Sequence, residues 1–166
     1  NGRPSCAACA ATAVVAADEA TRVYRAAERV VREELGLSLN VPTSLILVEA
    51  EELEAVLRDM GEDPTSGGET LGVYTRRGRR RGIYAVAGLP RLLLLQVAAH
   101  ELAHAWQMES APLLRDPVLR EGFAEWVAYR VLLAVGEAEA AERMLAREDT
   151  YGQGVRRLLE IERQVG

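Results

Sequence analysis

Apolar residues recur along the chain with two different periods, and the switches between them mark out its elements. Val15, Tyr24, Ala27, Val31 and Leu35 fall at helical spacing, so a helix is expected from about Val14 to Leu35, with Gly36 as its stop. After Pro42, the run Leu45-Ile46-Leu47-Val48 reads as a strand. Residues 49–60 read as a short amphipathic helix ending at Gly61, and residues 62–68, with Pro64 and two glycines, as a polar loop. Thr70 to Thr75 and Gly82 to Ala87 are strand-like and flank Arg76-Arg77-Gly78-Arg79-Arg80-Arg81, which predicts a hairpin with a basic tip.

Gly88-Leu89-Pro90 ends the second of these strands, and Pro90 suits the first turn of the next helix. Residues 91–109 form a strongly apolar helical stretch. Pro112 and Pro117 bracket a connection, and a further helix is expected from Val118 to Val135, before Gly136. Residues 137–147 read as a polar helix, Tyr151-Gly152-Gln153-Gly154 as a turn, and the residues through Ile161 as a last helix. Residues 1–9 read as irregular. This order predicts an α+β fold, with a small sheet and its hairpin packed on a central helix and C-terminal helices.

Length and composition narrow the classes. The 166 residues fit one domain, and 49% apolar residues supply a core. We expect that domain over residues 13–166, with residues 1–12 as an appended piece. A net charge of −5 provides no field for nucleic acid, so no nucleic-acid partner is expected. No apolar run approaches the roughly 20 residues that would span a bilayer, so no membrane partner is expected either. All 20 basic residues are Arg, which removes Lys as a general base or Schiff-base residue.

The chemistry concentrates in one helix. The chain has two His, and both fall in His100-Glu101-Leu102-Ala103-His104. Residues four apart on a helix project from one face, so both imidazoles can reach one Zn²⁺. Glu101 then lies beside the open position, where it can take a proton from a metal-bound water whose pKa is lowered to about 7. Catalytic zinc takes three protein ligands, and a third His is absent, so the third must be a downstream carboxylate. Glu121 and Glu125 lie on the next helix, four apart on one face. One can bind the metal while the other hydrogen-bonds the free ring nitrogen of a His ligand.

His100-Glu101-x-x-His104 followed by Glu121-Gly122-Phe123-Ala124-Glu125-Trp126 resembles the gluzincin peptidases. That resemblance implies Glu121 as third ligand and Glu125 as the carboxylate orienting a His. The longer run from Ala87-Gly88-Leu89-Pro90-Arg91 through His100-Glu101-Leu102-Ala103-His104-Ala105-Trp106 to Glu121-Gly122 is similar to the peptidase domain of the DA-one-like, LIM-associated family. Tyr151-Gly152-x-Gly154 resembles a motif near the end of that domain. Cys6-Ala7-Ala8-Cys9 resembles half of the zinc module that precedes it. The resemblance implies a zincin-like fold, a Zn²⁺ cofactor, a peptide or protein substrate, an upstream zinc-binding domain in a longer chain and a cytoplasmic location. The 166 residues hold neither that family's ubiquitin-binding motifs nor a full LIM module, so its substrates are not carried over.

Several residues remain to be placed. Cys6 and Cys9 supply two thiolates, half of a second tetrahedral site. With both His on the metal, the donor to the oxyanion must be a Tyr, an Arg or the backbone. Tyr151 is the first candidate, with Tyr74, Tyr84 and Arg156 in reserve. Thr70 to Thr75 or Gly82 to Ala87 would form the sheet edge that receives an extended peptide. The Arg run would favour acidic substrates only if it were more than a solvated hairpin end. Trp106 and Trp126 are read as packing around the site. The expected activity is peptide-bond hydrolysis by a metal-bound water activated by Glu101. The alternative is a zinc-stapled regulatory or protein-interaction domain without activity.

Overall fold

The computed structural model describes residues 7–61, 70–77 and 80–165. Helix α1 spans Ala7–Ala11, within the stretch expected to be irregular, and strand β1 spans Ala13–Val14. Cys6 lies outside the described residues; Cys9 lies in α1. The next helix, α2, begins only at Ala17 and runs to Glu33, so the helix expected from Val14 starts three residues late. Val14 is spoken for: it pairs with Leu89 in a two-stranded antiparallel sheet and is fully buried there. The α2 face that packs inward carries Ala20, Val23, Tyr24, Ala27, Val30 and Val31, the positions three and four apart that helical periodicity requires.

Strand β2 (Leu45–Val48) follows, then α3 (Ala50–Met60). The loop expected over 62–68 lies outside the described residues. Strands β3 (Gly72–Arg77) and β4 (Arg80–Val86) form the hairpin, each reaching nearer the tip than the sequence suggested. The three-stranded sheet has order β2-β4-β3, with β2 parallel and β3 antiparallel to β4. The central position of β4 removes Gly82 to Ala87 as the peptide-receiving edge and leaves β3. The Arg run is not wholly a solvated tip either. Arg81 is largely buried in an ion pair with Glu109, whose second oxygen accepts the Asn40 N–H at 2.7 Å.

Strand β5 is Leu89–Pro90, the partner of β1, and helix α4 (Arg91–Ser110) follows it directly. Leu94, Leu95, Ala98, Ala99, Leu102, Ala103 and Ala105 are buried on several sides of α4, as expected of a helix enclosed by α2, the sheet and the next long helix. That helix, α5, spans Pro117–Ala134. Asp116 caps it by accepting the Val118 and Leu119 N–H groups at 2.9 and 3.1 Å, and Pro117 takes the first turn, where no N–H is needed. Helix α6 covers Ala138–Leu145 and α7 covers Thr150–Val165. Among the described residues, no helix is long and apolar enough to cross a membrane.

The turn expected at Tyr151–Gly154 is instead the first turn of α7. Its glycines serve close packing. A Cβ on Gly154 would stand 2.6 Å from the Gly122 Cα, and one on Gly122 would stand 3.0 Å from the Gly154 Cα. Helices α5 and α7 therefore cross backbone against backbone. This crossing sets Tyr151, one turn before Gly154, opposite Glu121, the neighbour of Gly122.

Candidate metal centre

His100 and His104 project from the same face of α4, and their Nε2 atoms face each other at 3.0 Å. Glu121, from α5, places its Oε2 at 3.4 Å from each. These three are a group that could hold a metal ion. The triangle is informative in itself. Donors each about 2.0–2.1 Å from a tetrahedral ion stand about 3.3–3.4 Å from one another. Sides of 3.0, 3.4 and 3.4 Å thus fit one face of such a tetrahedron, with the fourth corner toward the cleft.

The far side of each imidazole is also bonded. Glu125 Oε1 lies 3.0 Å from His100 Nδ1. A carboxylate accepts, so in the neutral ring this bond puts the proton on Nδ1 and leaves the Nε2 lone pair for a metal ion. The partner of His104 was not foreseen. Gln107 Oε1 lies 2.9 Å from His104 Nδ1, and Gln107 Nε2 donates to the Arg120 carbonyl at 2.9 Å. A backbone carbonyl can only accept, so it fixes the Gln107 amide with its oxygen toward the ring. His104 therefore carries its proton on Nδ1 as well. The only available signal was that residue 107 sits three past His104, on the same helix face.

Electrostatics favour positive charge at this point. Burial opposes charge on His100, but the hydrogen bonds it donates to Glu121 and Glu125 overcome it and push its pKa up to about 10. Burial would raise the Glu121 pKa, yet the two imidazoles hold it far below the usual carboxylate range. The second Glu121 oxygen accepts from Arg120 Nε and Nη2 at 3.2 and 3.1 Å.

Glu101 is buried beside the triad, and its Oε2 accepts the Tyr74 N–H of edge strand β3 at 2.7 Å. Tyr151 closes another side, its ring centroid 6.2 Å from that of His100. Burial, then the charges of Glu121 and Glu125, raise its pKa and keep the phenol protonated as a donor. Arg147, unmarked by any motif, stands 5.1 Å over the Tyr151 ring and 4.0 Å from the buried Glu125 Oε2. All these groups except Glu125 and Arg147 line one cleft of about 330 Å³ between α3, β3, α4, α5 and α7.

Of the reserve donors, Tyr74 lines this cleft, though its hydroxyl is buried without a hydrogen-bond partner among the described residues. Tyr84 does not line it, and Arg156 is committed elsewhere, to the Leu145 and Arg147 carbonyls. Trp106, Phe123 and Trp126 stack in series at 5.4 and 5.8 Å, and the Trp126 indole donates to Glu162, so both Trp serve packing. A second cavity, of about 360 Å³, lies between α2 and the start of α4 and is lined mainly by Val23, Ala26, Leu92 and Leu95. Its walls carry no metal-ligand cluster among the described residues.

The fold and this site define an α+β chain with a two-His, one-Glu face that could hold a metal ion. No family profile, curated protein or solved structure matches the chain.

Proposed function

We propose that this chain is a zinc-dependent peptidase of the gluzincin type, akin to the DA-one-like peptidase domain. The observation that carries the proposal is the three-donor face of His100, His104 and Glu121, with Glu101 beside it. Two imidazoles and one carboxylate, leaving an open fourth corner, are the donor set of catalytic zinc. Bound there, zinc supplies Lewis acidity, lowering the pKa of a water to about 7 and polarising a carbonyl.

The chain's own groups divide the remaining work. Glu125 and Gln107 hold the two imidazoles with Nε2 inward. The Tyr74 N–H holds Glu101 Oε2, so the other Glu101 oxygen is the one to take a proton from the attacking water and deliver it to the leaving amine. Tyr151 O–H is the donor offered to the developing oxyanion. Among the described residues β3 pairs with a strand on one side only, and backbone groups of its other side, apart from the Tyr74 N–H taken by Glu101, are offered to an extended peptide.

The alternative, a zinc-stapled interaction domain without activity, has one observation on its side. Glu101 is only 6% exposed and already engaged by Tyr74. Wild-type protein and Glu101→Gln separate the readings. We expect about one zinc per chain by elemental analysis in both, and peptide cleavage at least about 100-fold slower in the variant. Equal cleavage, or none in either, would sink the peptidase reading.

A further inference from the structure

The two oxygens of Glu121 have different company. Oε2 stands 3.4 Å from each imidazole Nε2. Oε1 accepts from Nε and Nη2 of Arg120 at 3.2 and 3.1 Å. A carboxylate oxygen has two lone pairs, and this fork supplies a donor for each. Neither lone pair of Oε1 is then free for a metal ion, whereas Oε2 faces the point between the imidazoles.

Stability does not account for Arg120. Its side chain is 54% exposed, and an ion pair this open adds little to the fold. It is the fourth residue of α5, near the end where the helix dipole offers a cation nothing. It is also the one Arg lining the cleft among the described residues. What the fork changes is the number of Glu121 atoms that can act as ligands. Catalytic zinc takes three protein donors and keeps a fourth position for reaction. Two imidazoles and both oxygens of Glu121 would fill all four. One oxygen leaves the fourth open.

We infer that the Arg120 guanidinium is a positioning group that holds Glu121 to a single ligand oxygen and so keeps the fourth metal position free. This rests on the zinc reading above. The Arg120 carbonyl, which accepts from Gln107, belongs to the backbone, so a side-chain change keeps that support of His104 in place.

The test is a set of crystal structures of zinc-loaded wild type, Arg120→Met and Arg120→Ala. Neither replacement can donate a hydrogen bond, and the exposed position tolerates both. In the wild type only Glu121 Oε2 should lie at ligand distance, about 2.0–2.2 Å from the ion. In both variants Oε1 should close in on the ion as a second oxygen. Both oxygens on the ion in the wild type, or one oxygen in all three proteins, overturns the role of Arg120 alone. Zinc missing from the triad in the wild type overturns the zinc reading and this inference with it.

Discussion

His104 Nδ1 and Gln107 Oε1 lie 2.9 Å apart, one helical turn from each other on α4. The contact matters because Gln107 cannot turn over: its amide nitrogen is held by the Arg120 carbonyl. A helix residue and the backbone just before Glu121 thus fix one imidazole together. Gln107→Leu keeps volume and removes the acceptor, leaving the His104 N–H buried without a partner. Zinc affinity should fall about 10–100-fold, read by competition with a chromophoric chelator. An unchanged affinity would show that this hydrogen bond does not set the ring.

Zinc binding should release a proton. His100, with a pKa raised to about 10, is charged at neutral pH in the metal-free fold, and a ligating imidazole must be neutral. Below pH 10 the apparent affinity should climb as pH rises, by about tenfold per unit. Calorimetry in two buffers of different ionisation enthalpy counts the proton directly. The same shift fixes a stability trend. His100 gains its proton more readily folded than unfolded, so its contribution is complete below about pH 6.5 and is lost as pH rises through about 10. The Tm of metal-free protein should decline across that window, and zinc-loaded protein should not share that component.

Tyr151→Phe should leave zinc content and KM near wild type and lower kcat about 100-fold, the usual cost of losing one oxyanion donor. Steady-state kinetics on a cleaved peptide decide it. A change confined to KM would make Tyr151 a substrate contact only.

Gly154→Ala sets two effects against each other. Alanine is preferred within a helix by about 1 kcal/mol. Here its Cβ would press on the Gly122 backbone at 2.6 Å, where nothing can rotate away. Overpacking of this kind costs about 1–3 kcal/mol, and a backbone clash belongs at the upper end. We expect a net loss of stability in thermal unfolding. Gly154→Ala should also lower kcat, since α7 carries Tyr151. A raised Tm would show that the two helices can separate freely.

The site was legible where chemistry follows helical spacing. His100 with His104, and Glu121 with Glu125, each lie four apart, and those intervals alone place each pair on one helix face. The fold was legible where periodicity ran long, as in α2, α4 and α5. What escaped depended on tertiary packing. Val14 continues the α2 pattern, but pairing with Leu89 holds it in a strand. Two glycines around Gln153 look like a turn until Arg147 is seen against Gly152 and Gly122 against Gly154. Gln107 and Arg147 match no motif, because what they do depends on a carbonyl and a ring contributed by other segments.

The backbone crossing of Gly122 and Gly154 also divides the candidate centre between the helices that supply it. The metal face needs only α4 and α5, which are joined by a short connection and pack directly. Tyr151, and the Arg147 that stands 4.0 Å from Glu125, come from the segment after α6, which packs over α5. A chain with α7 undocked would keep its hold on the ion while lacking the proposed oxyanion donor. On the proposed reading, the hold on the ion and the oxyanion donor thus come from different helices, and the packing of α7 on α5 is what joins them.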